Sequence, residues 1–345
     1  MKSVVASAND RIHGGPDGAG AALHDFSTNS NACGPCPEVV LAIRDADASR
    51  YPDPAYSLLR QQLAAFHGVA ASRIHLAASA SEFIFRVTAM VAQRDGAQVW
   101  LPAHSYGDYA QAARAHGLPL ARTPREASLA WACEPASPLG GPDGAVASLA
   151  LASKGGALAT VAVLDSAYQP LRLSGEPTLK GSQPDAVWQL FTPNKALGLT
   201  GVRAAYAIAP TEAGEAAPAL QALCPSWPVG AHGVALLEAW TRPSVQRWLN
   251  ASLNTLRDWK ARQLGLCESL GWSCSPSDAN FFCAAPALTG GMTLEQALTA
   301  LRADGVKLRD ATSFGLPGQV RLGVLPPASQ DALQQAWNQL TGTTP

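Results

Sequence analysis

The sequence predicts an α/β fold with a mostly parallel sheet and a second, smaller domain, and three observations predict it. Short apolar runs at 98–101, 129–133, 161–164 and 187–191 recur at intervals of about 30 residues. Helical periodicity fills the gaps, as when crossover helices join parallel strands. After the Pro225-Ser226-Trp227-Pro228 break the pattern turns helical, then short strands and helices alternate again to the end.

In chain order, residues 11–31 are rich in Gly, Asn and Ser with little periodicity and read as an ordered loop. Pro52 and Pro54 fix an extended segment around Tyr51. Leu59, Leu63 and Phe66 then mark a helix that Gly68 ends. A short strand at 74–76 leads into Ala77-Ala78-Ser79-Ala80-Ser81-Glu82, followed by Ile84, Val87 and Val91 at helical spacing. Small and hydroxyl residues at that helix start suit either an anion cradle or an ordinary N-cap. A helix is expected over 106–116, and the strand 161–164 ends on Asp165. That carboxylate is read either as aimed into a cleft at the strand's carboxyl end or as a turn cap. A helix broken at Pro243 continues through Leu249, Leu253 and Leu256, and the Thr293 to Gln296 spacing is a capping box. Strands around 306–309 and 320–324 carry Arg309 and Arg321, and a last helix holds Leu333, Trp337 and Leu340.

The chain of 345 residues is 47% hydrophobic and 15% charged, with a formal net charge of −1. That balance is globular and offers neither a nucleic acid nor an acidic membrane surface a partner. No apolar run approaches the roughly 20 residues that span a bilayer. The polar start, 1–15, has no apolar signal region, so a cytoplasmic location is expected. The seven cysteines are scattered; only Cys33-Gly34-Pro35-Cys36 has redox or metal spacing. No second pair or nearby histidines complete it, so no metal site is expected.

The most informative stretch is Thr192-Pro193-Asn194-Lys195-Ala196-Leu197-Gly198-Leu199-Thr200-Gly201-Val202-Arg203, set between the strands 187–191 and 204–208. A lysine on such a loop can bond covalently to an aldehyde when some of its amine is free. By itself it reads first as a solvated surface residue. The rest of the chain supplies the context: Tyr51, the helix start at 79–81, Tyr106, Ser137 before a proline, Asp165 with Tyr168, Lys195 and Arg203.

In this order and spacing the chain resembles the fold-type I pyridoxal-phosphate enzymes, the aspartate aminotransferase superfamily, over nearly its whole length. The resemblance implies a three-layer α/β/α large domain over 41–245 and a smaller α+β domain built from 1–40 and 246–345. It implies pyridoxal 5′-phosphate as cofactor, with Lys195 as its covalent anchor and the shuttle of the substrate's Cα proton. Asp165 would meet the pyridine nitrogen, Tyr168 and Ser137 the ring O3′, and Tyr106 the ring face. Ser79, Ala80, Ser81, Thr192 and Arg203 would hold the cofactor phosphate. Tyr51 would reach the phosphate of a neighbouring subunit's cofactor, which implies a homodimer.

Within the superfamily, His13-Gly14-Gly15, the 25–31 run DFSTNSN, Arg50-Tyr51-Pro52-Asp53 and the Leu308-Arg309-Asp310 to Arg321 tail look like threonine-phosphate decarboxylase of cobalamin biosynthesis. Histidinol-phosphate aminotransferase is the alternative, sharing the Tyr-Pro-Asp segment, Asn280-Phe281 and the lysine region. Either way the expected substrate is a small phosphorylated amino compound. Arg321 would bind its carboxylate, with His13, Asn31 and Arg309 lining the pocket and meeting its phosphate. Ala32 stands after Asn31 where the pattern has proline, and three further positions depart from it: Ser137 replaces an asparagine, and Ala77 and Ser79 replace glycines. They are the support for a remaining reading, a non-catalytic binding module on the same fold.

Overall fold

The computed structural model describes residues 13–152 and 160–342. The polar start up to residue 12, and 153–159 of the small-residue stretch, lie outside the described residues. A short strand β1 (His24–Asp25) runs through the Asn-rich loop into helix α1 (Pro37–Arg44), where Pro37 occupies the first turn without losing a helical bond. Helix α2 (Ser57–His67) buries Leu59 and Leu63 and stops at Gly68, whose φ of 66° suits a residue without Cβ.

Strands β2 (Ile74–Ala77), β3 (Val99–Trp100), β4 (Leu129–Cys133), β5 (Val161–Asp165), β6 (Trp188–Phe191) and β7 (Ala205–Ile208) form one sheet, in the order β2-β7-β6-β5-β4-β3. Helices α3 (Ala80–Ala92), α4 (Gly107–Ala115) and α5 (Val146–Ala152) lie in the connections. β4 and β5 are buried along their whole length, as parallel strands covered on both faces must be. β7 alone runs antiparallel, to both of its neighbours. The reason is local: residues 192–204 contain no helix to carry the chain back across the sheet. The chain therefore turns at the carboxyl end of β6, which puts Lys195 at that end.

After α6 (Ala216–Ala222), the expected broken helix is two: α7 (Ala231–Trp240) and α8 (Pro243–Ser269), with Pro243 opening the second. Strands β8 (Ser273–Cys274) and β9 (Phe281–Ala285) follow, then α9 (Leu294–Ala303), opened by the Thr293/Gln296 capping box. The strand expected over 306–309 divides: β10 (Val306–Lys307) pairs with β1, whereas β11 (Arg309–Asp310) pairs with β12 (Val320–Gly323). Helix α10 (Pro327–Thr341) closes the described chain. β11, β12, β9 and β8 make a second, antiparallel sheet.

The cores follow these sheets. Ile84, Val87, Val163, Trp188 and Leu190 pack under the large sheet. Phe26 from the start of the chain packs with Trp272, Phe282, Leu322 and Trp337 from its end. Among the described residues no helix is long and apolar enough to cross a membrane.

Candidate active site

The lysine loop is held from below by the N-terminal segment. The Asn31 amide N–H donates to the Lys195 carbonyl at 2.9 Å, and its Nδ2 donates to Ala196 O (2.9 Å) and Ser252 Oγ (2.8 Å). Its Oδ1 accepts from the Cys33 N–H at 3.0 Å. The Asn31 side chain, expected in the substrate pocket, is thus spent on clamping the loop. The Cys-Gly-Pro-Cys pattern is spent there too. Cys36 N–H donates to Leu197 O at 2.9 Å, and a Cβ on Gly198 would sit 2.9 Å from Gly34 Cα. Two glycines let two backbones touch. Burial pushes both thiols up, away from reactive thiolate. Among the described residues no acid, histidine or cysteine cluster could hold a metal.

The Lys195 ammonium lies 5.4 Å from the centre of the Tyr168 ring and has no hydrogen-bond or carboxylate partner among the described residues. Tyr168 in turn meets Phe281 edge-on at 4.7 Å. Asp165 ends β5, buried beside Cys133 of β4 and Leu190 of β6. Its Oδ1 accepts the Ala167 N–H at 2.9 Å, the turn-cap reading, while Oδ2 accepts the Tyr109 hydroxyl at 2.7 Å. Burial pushes the Asp165 carboxyl up, against Tyr109 and the Lys195 charge, which pull it down. Tyr109 was not among the expected site residues. Its signal was its place three residues after Tyr106, on the same face of one helical turn.

At the start of α3, Ser79 Oγ accepts the Glu82 N–H at 3.1 Å, so the N-cap reading holds for that hydroxyl. Glu82 accepts the Ala78 N–H at 3.2 Å and pairs with Arg86 at 3.0 Å. By helix geometry the amides of Ala80 and Ser81 have no intrahelical acceptor and stay open to an anion. Burial holds the Tyr106 phenol above its ordinary value, against the opposing pull of the Ser81 hydroxyl. Nearby in sequence to Lys195, Thr192 Oγ1 and Asn194 Oδ1 are buried without a hydrogen-bond partner among the described residues. Buried polar atoms are normally paired, so these orphans, with the partnerless ammonium, fit the polar cofactor that the resemblance implies. Arg203 is exposed and has no ion pair among the described residues. Tyr51 is 78% exposed and stacks on Trp227 at 4.4 Å.

The substrate end is built on β11 and β12, where Arg309 and Arg321 are directly opposed. Arg309 donates to Asp310 O (2.6 Å) and Ser313 Oγ (2.7 Å) and lies over the Phe314 ring at 4.8 Å. Burial, then Arg321, push its guanidinium down to about 10, so it keeps its charge at neutral pH. Arg321 has Phe281 and Phe314 at 5.6 and 5.3 Å. It donates to Ser27 O at 3.2 Å and Ser137 Oγ at 3.4 Å, and its Nε has no partner. Among the described residues it has no carboxylate partner. Ser137, expected to face the cofactor's O3′, accepts from Arg321, the 134–141 turn sitting against the small sheet. His13 lies exposed, its ring 6.2 Å from Tyr106, and Gly14 packs so closely on Ser27 that a Cβ would collide with its carbonyl. Asn29, also outside expectation, is buried, and neither side-chain amide atom has a hydrogen-bond partner among the described residues.

Over residues 22–135 and 142–340 the sequence matches the family model Aminotransferase class I and II. It is similar to the histidinol-phosphate aminotransferase of Jannaschia sp. (strain CCS1), 28% identical over 321 residues that cover 87% of this chain and 86% of that protein. Its fold is similar to histidinol-phosphate aminotransferase from Sinorhizobium meliloti, solved in complex with pyridoxal-5'-phosphate. The TM-score is 0.79 at 22% identity, covering 99% of both chains. It is also similar to L-threonine-O-3-phosphate decarboxylase from Porphyromonas gingivalis, with a TM-score of 0.75 at 19% identity, covering 92% of this chain and 99% of that one. The family model takes in the two larger sheets, the lysine loop and the two facing arginines, and the chain therefore belongs to the class I and II aminotransferases.

Proposed function

We propose that this enzyme holds pyridoxal 5′-phosphate through Lys195 and moves the amino group of a phosphorylated amino compound to a 2-oxo acid, with histidinol phosphate as the first substrate to test. When bound, that cofactor supplies an electron-accepting ring conjugated to the substrate's reacting carbon. Asp165 keeps a proton on the ring nitrogen, and Tyr106 and Tyr168 pack on the ring and its O3′. The open amides of Ala80 and Ser81, with Thr192 and Arg203, hold the phosphate. Lys195 takes and returns the proton at the substrate's Cα.

The observation that carries the reading is Arg321, a buried cation with no acid to neutralise it among the described residues. Such a charge is costly unless an anion arrives with the substrate. With Arg309 opposite, the pocket offers two guanidiniums, which suits a phosphate or a carboxylate. The sequence motifs favour the decarboxylase reading, but the similar curated relatives are histidinol-phosphate aminotransferases, which moves transamination first. Decarboxylation of O-phosphothreonine stays as a second reading for one specific reason. The His-Gly-Gly start packs on the 25–31 run beside Arg321, with Gly15 N–H donating to Ser27 Oγ at 2.9 Å.

The two are separated by one assay: amino transfer from histidinol phosphate to 2-oxoglutarate, beside CO2 release from O-phosphothreonine. Turnover of neither would sink both. The exposed Tyr51 fits a homodimer in which it meets the partner's cofactor phosphate, which sedimentation of Tyr51→Ala beside wild type, with cofactor titration, would test.

A further inference from the structure

We propose that Tyr109 is the positioning residue of Asp165: its hydroxyl, donated to Oδ2, sets the carboxylate's plane and keeps it charged toward the cofactor's ring nitrogen. This rests on Asp165 being the partner of that nitrogen. The geometry is specific. Oδ1 is tied to the Ala167 amide at 2.9 Å, and Tyr109, at 2.7 Å, supplies the side-chain hydrogen bond to Oδ2. With one donor on each oxygen the carboxylate cannot rotate, yet an ionised carboxylate has about four acceptor sites. Two stay open for a ligand N–H.

Tyr109 is itself immobile. Its ring is fully buried and lies nearly parallel to Trp131 of β4, 4.4 Å away with 11° between planes. On its other side it meets Tyr106 edge-on at 5.8 Å. One helical turn of α4 thus carries the residue expected to stack on the cofactor and the residue that orients its acid. The phenol has no second role, because burial holds it far above its ordinary ionisation range and it remains a donor. Asp165 needs such a donor: its environment disfavours charge, and Tyr109 leads the groups that oppose this.

Tyr109→Phe keeps the stack on Trp131 and removes one O–H. In the full-length protein, three readouts separate orientation from mere packing. The infrared band of protonated Asp165, assigned against Asp165→Asn, should persist to higher pH in the variant than in wild type. The dissociation constant for pyridoxal 5′-phosphate, followed by tryptophan quenching, should rise about tenfold, as expected for one lost hydrogen bond to a charged group. Tyr109→His, which restores a donor, should recover part of that affinity, and carries the test if the Phe variant does not fold. An Asp165 titration and a cofactor affinity that match wild type in Tyr109→Phe would overturn the proposal. Asp165→Asn examines the underlying reading separately: unchanged cofactor affinity and spectrum there would remove Asp165 from the ring nitrogen, whatever Tyr109 does.

Discussion

Asp165 and Arg321 are both buried charges, 4% and 7% exposed, yet each oxygen of the one accepts a hydrogen bond from its own chain, while the other has no acid beside it among the described residues. The acid has a donor on each oxygen and a lysine charge in range. The base has a weak pair of neutral acceptors, two aromatic rings and an unpartnered Nε. On the proposed function, a group that serves a resident cofactor can take part of its hydrogen bonding from the fold in advance, which lowers the cost of keeping it buried. A group that serves a substrate must leave its bonding capacity unused until the substrate comes, and the fold carries that cost.

The sharpest way to break this contrast is at the residue that links the two ends. Lys195→Ala should abolish the visible absorbance of bound cofactor and lower turnover by about 10³-fold or more. Retained turnover would remove the lysine from the chemistry. Next comes Arg321→Met, which should lower kcat/KM for the phosphorylated substrate about 10²-fold while the cofactor spectrum stays the same. The same variant should melt higher than wild type, because an unneutralised buried charge has been replaced by an apolar chain of similar length. A lower melting temperature would show that Arg321 is structural.

Two further bases, His75 buried and His67 half-buried, mark a third solution, which is to stay neutral. His67 accepts or donates at 2.8 Å to the Tyr206 hydroxyl, and His75 is buried with both ring nitrogens unpartnered. Burial pushes each down to about 4. An unfolded histidine takes its proton near 6.5, so between about 6.5 and 4 the unfolded chain binds protons that the folded chain refuses. The stability is therefore complete above about pH 6.5 and is lost as pH falls toward 4, by roughly 3 kcal/mol per histidine. Urea unfolding at pH 8, 6 and 5 measures it, and a flat profile would refute it. The smallest effect is expected at Asn31→Ala, which frees the lysine loop from its clamp. It should cost about 2 kcal/mol of stability and loosen the cofactor without touching substrate selectivity. A change in selectivity instead would return Asn31 to the substrate pocket.

Much of the fold was legible because its signals are local. The N-cap at Ser79, the capping box at Thr293, the stop at Gly68 and the strand ending on Asp165 each depend on neighbours within about a turn or two of chain. Other features were not legible for a matching reason. Nothing in a Cys-Gly-Pro-Cys spacing says that its glycine will lie against Gly198, and nothing around Ser137 says that it will meet an arginine.

Sequence alone determined the alternation of strand and helix, the lysine between two strands, and the residue types able to hold a phosphorylated ring. The tertiary structure decided which of those side chains are spent inside the protein and which are left to a ligand. Ser137 and Arg321 stand 184 residues apart, and Asn31 and Ser252 221 apart. Partners at such distances are chosen by sheet order and crossover path. The pairing of buried polar groups, on which the division between scaffold and site rests, therefore appears only once the chain is folded.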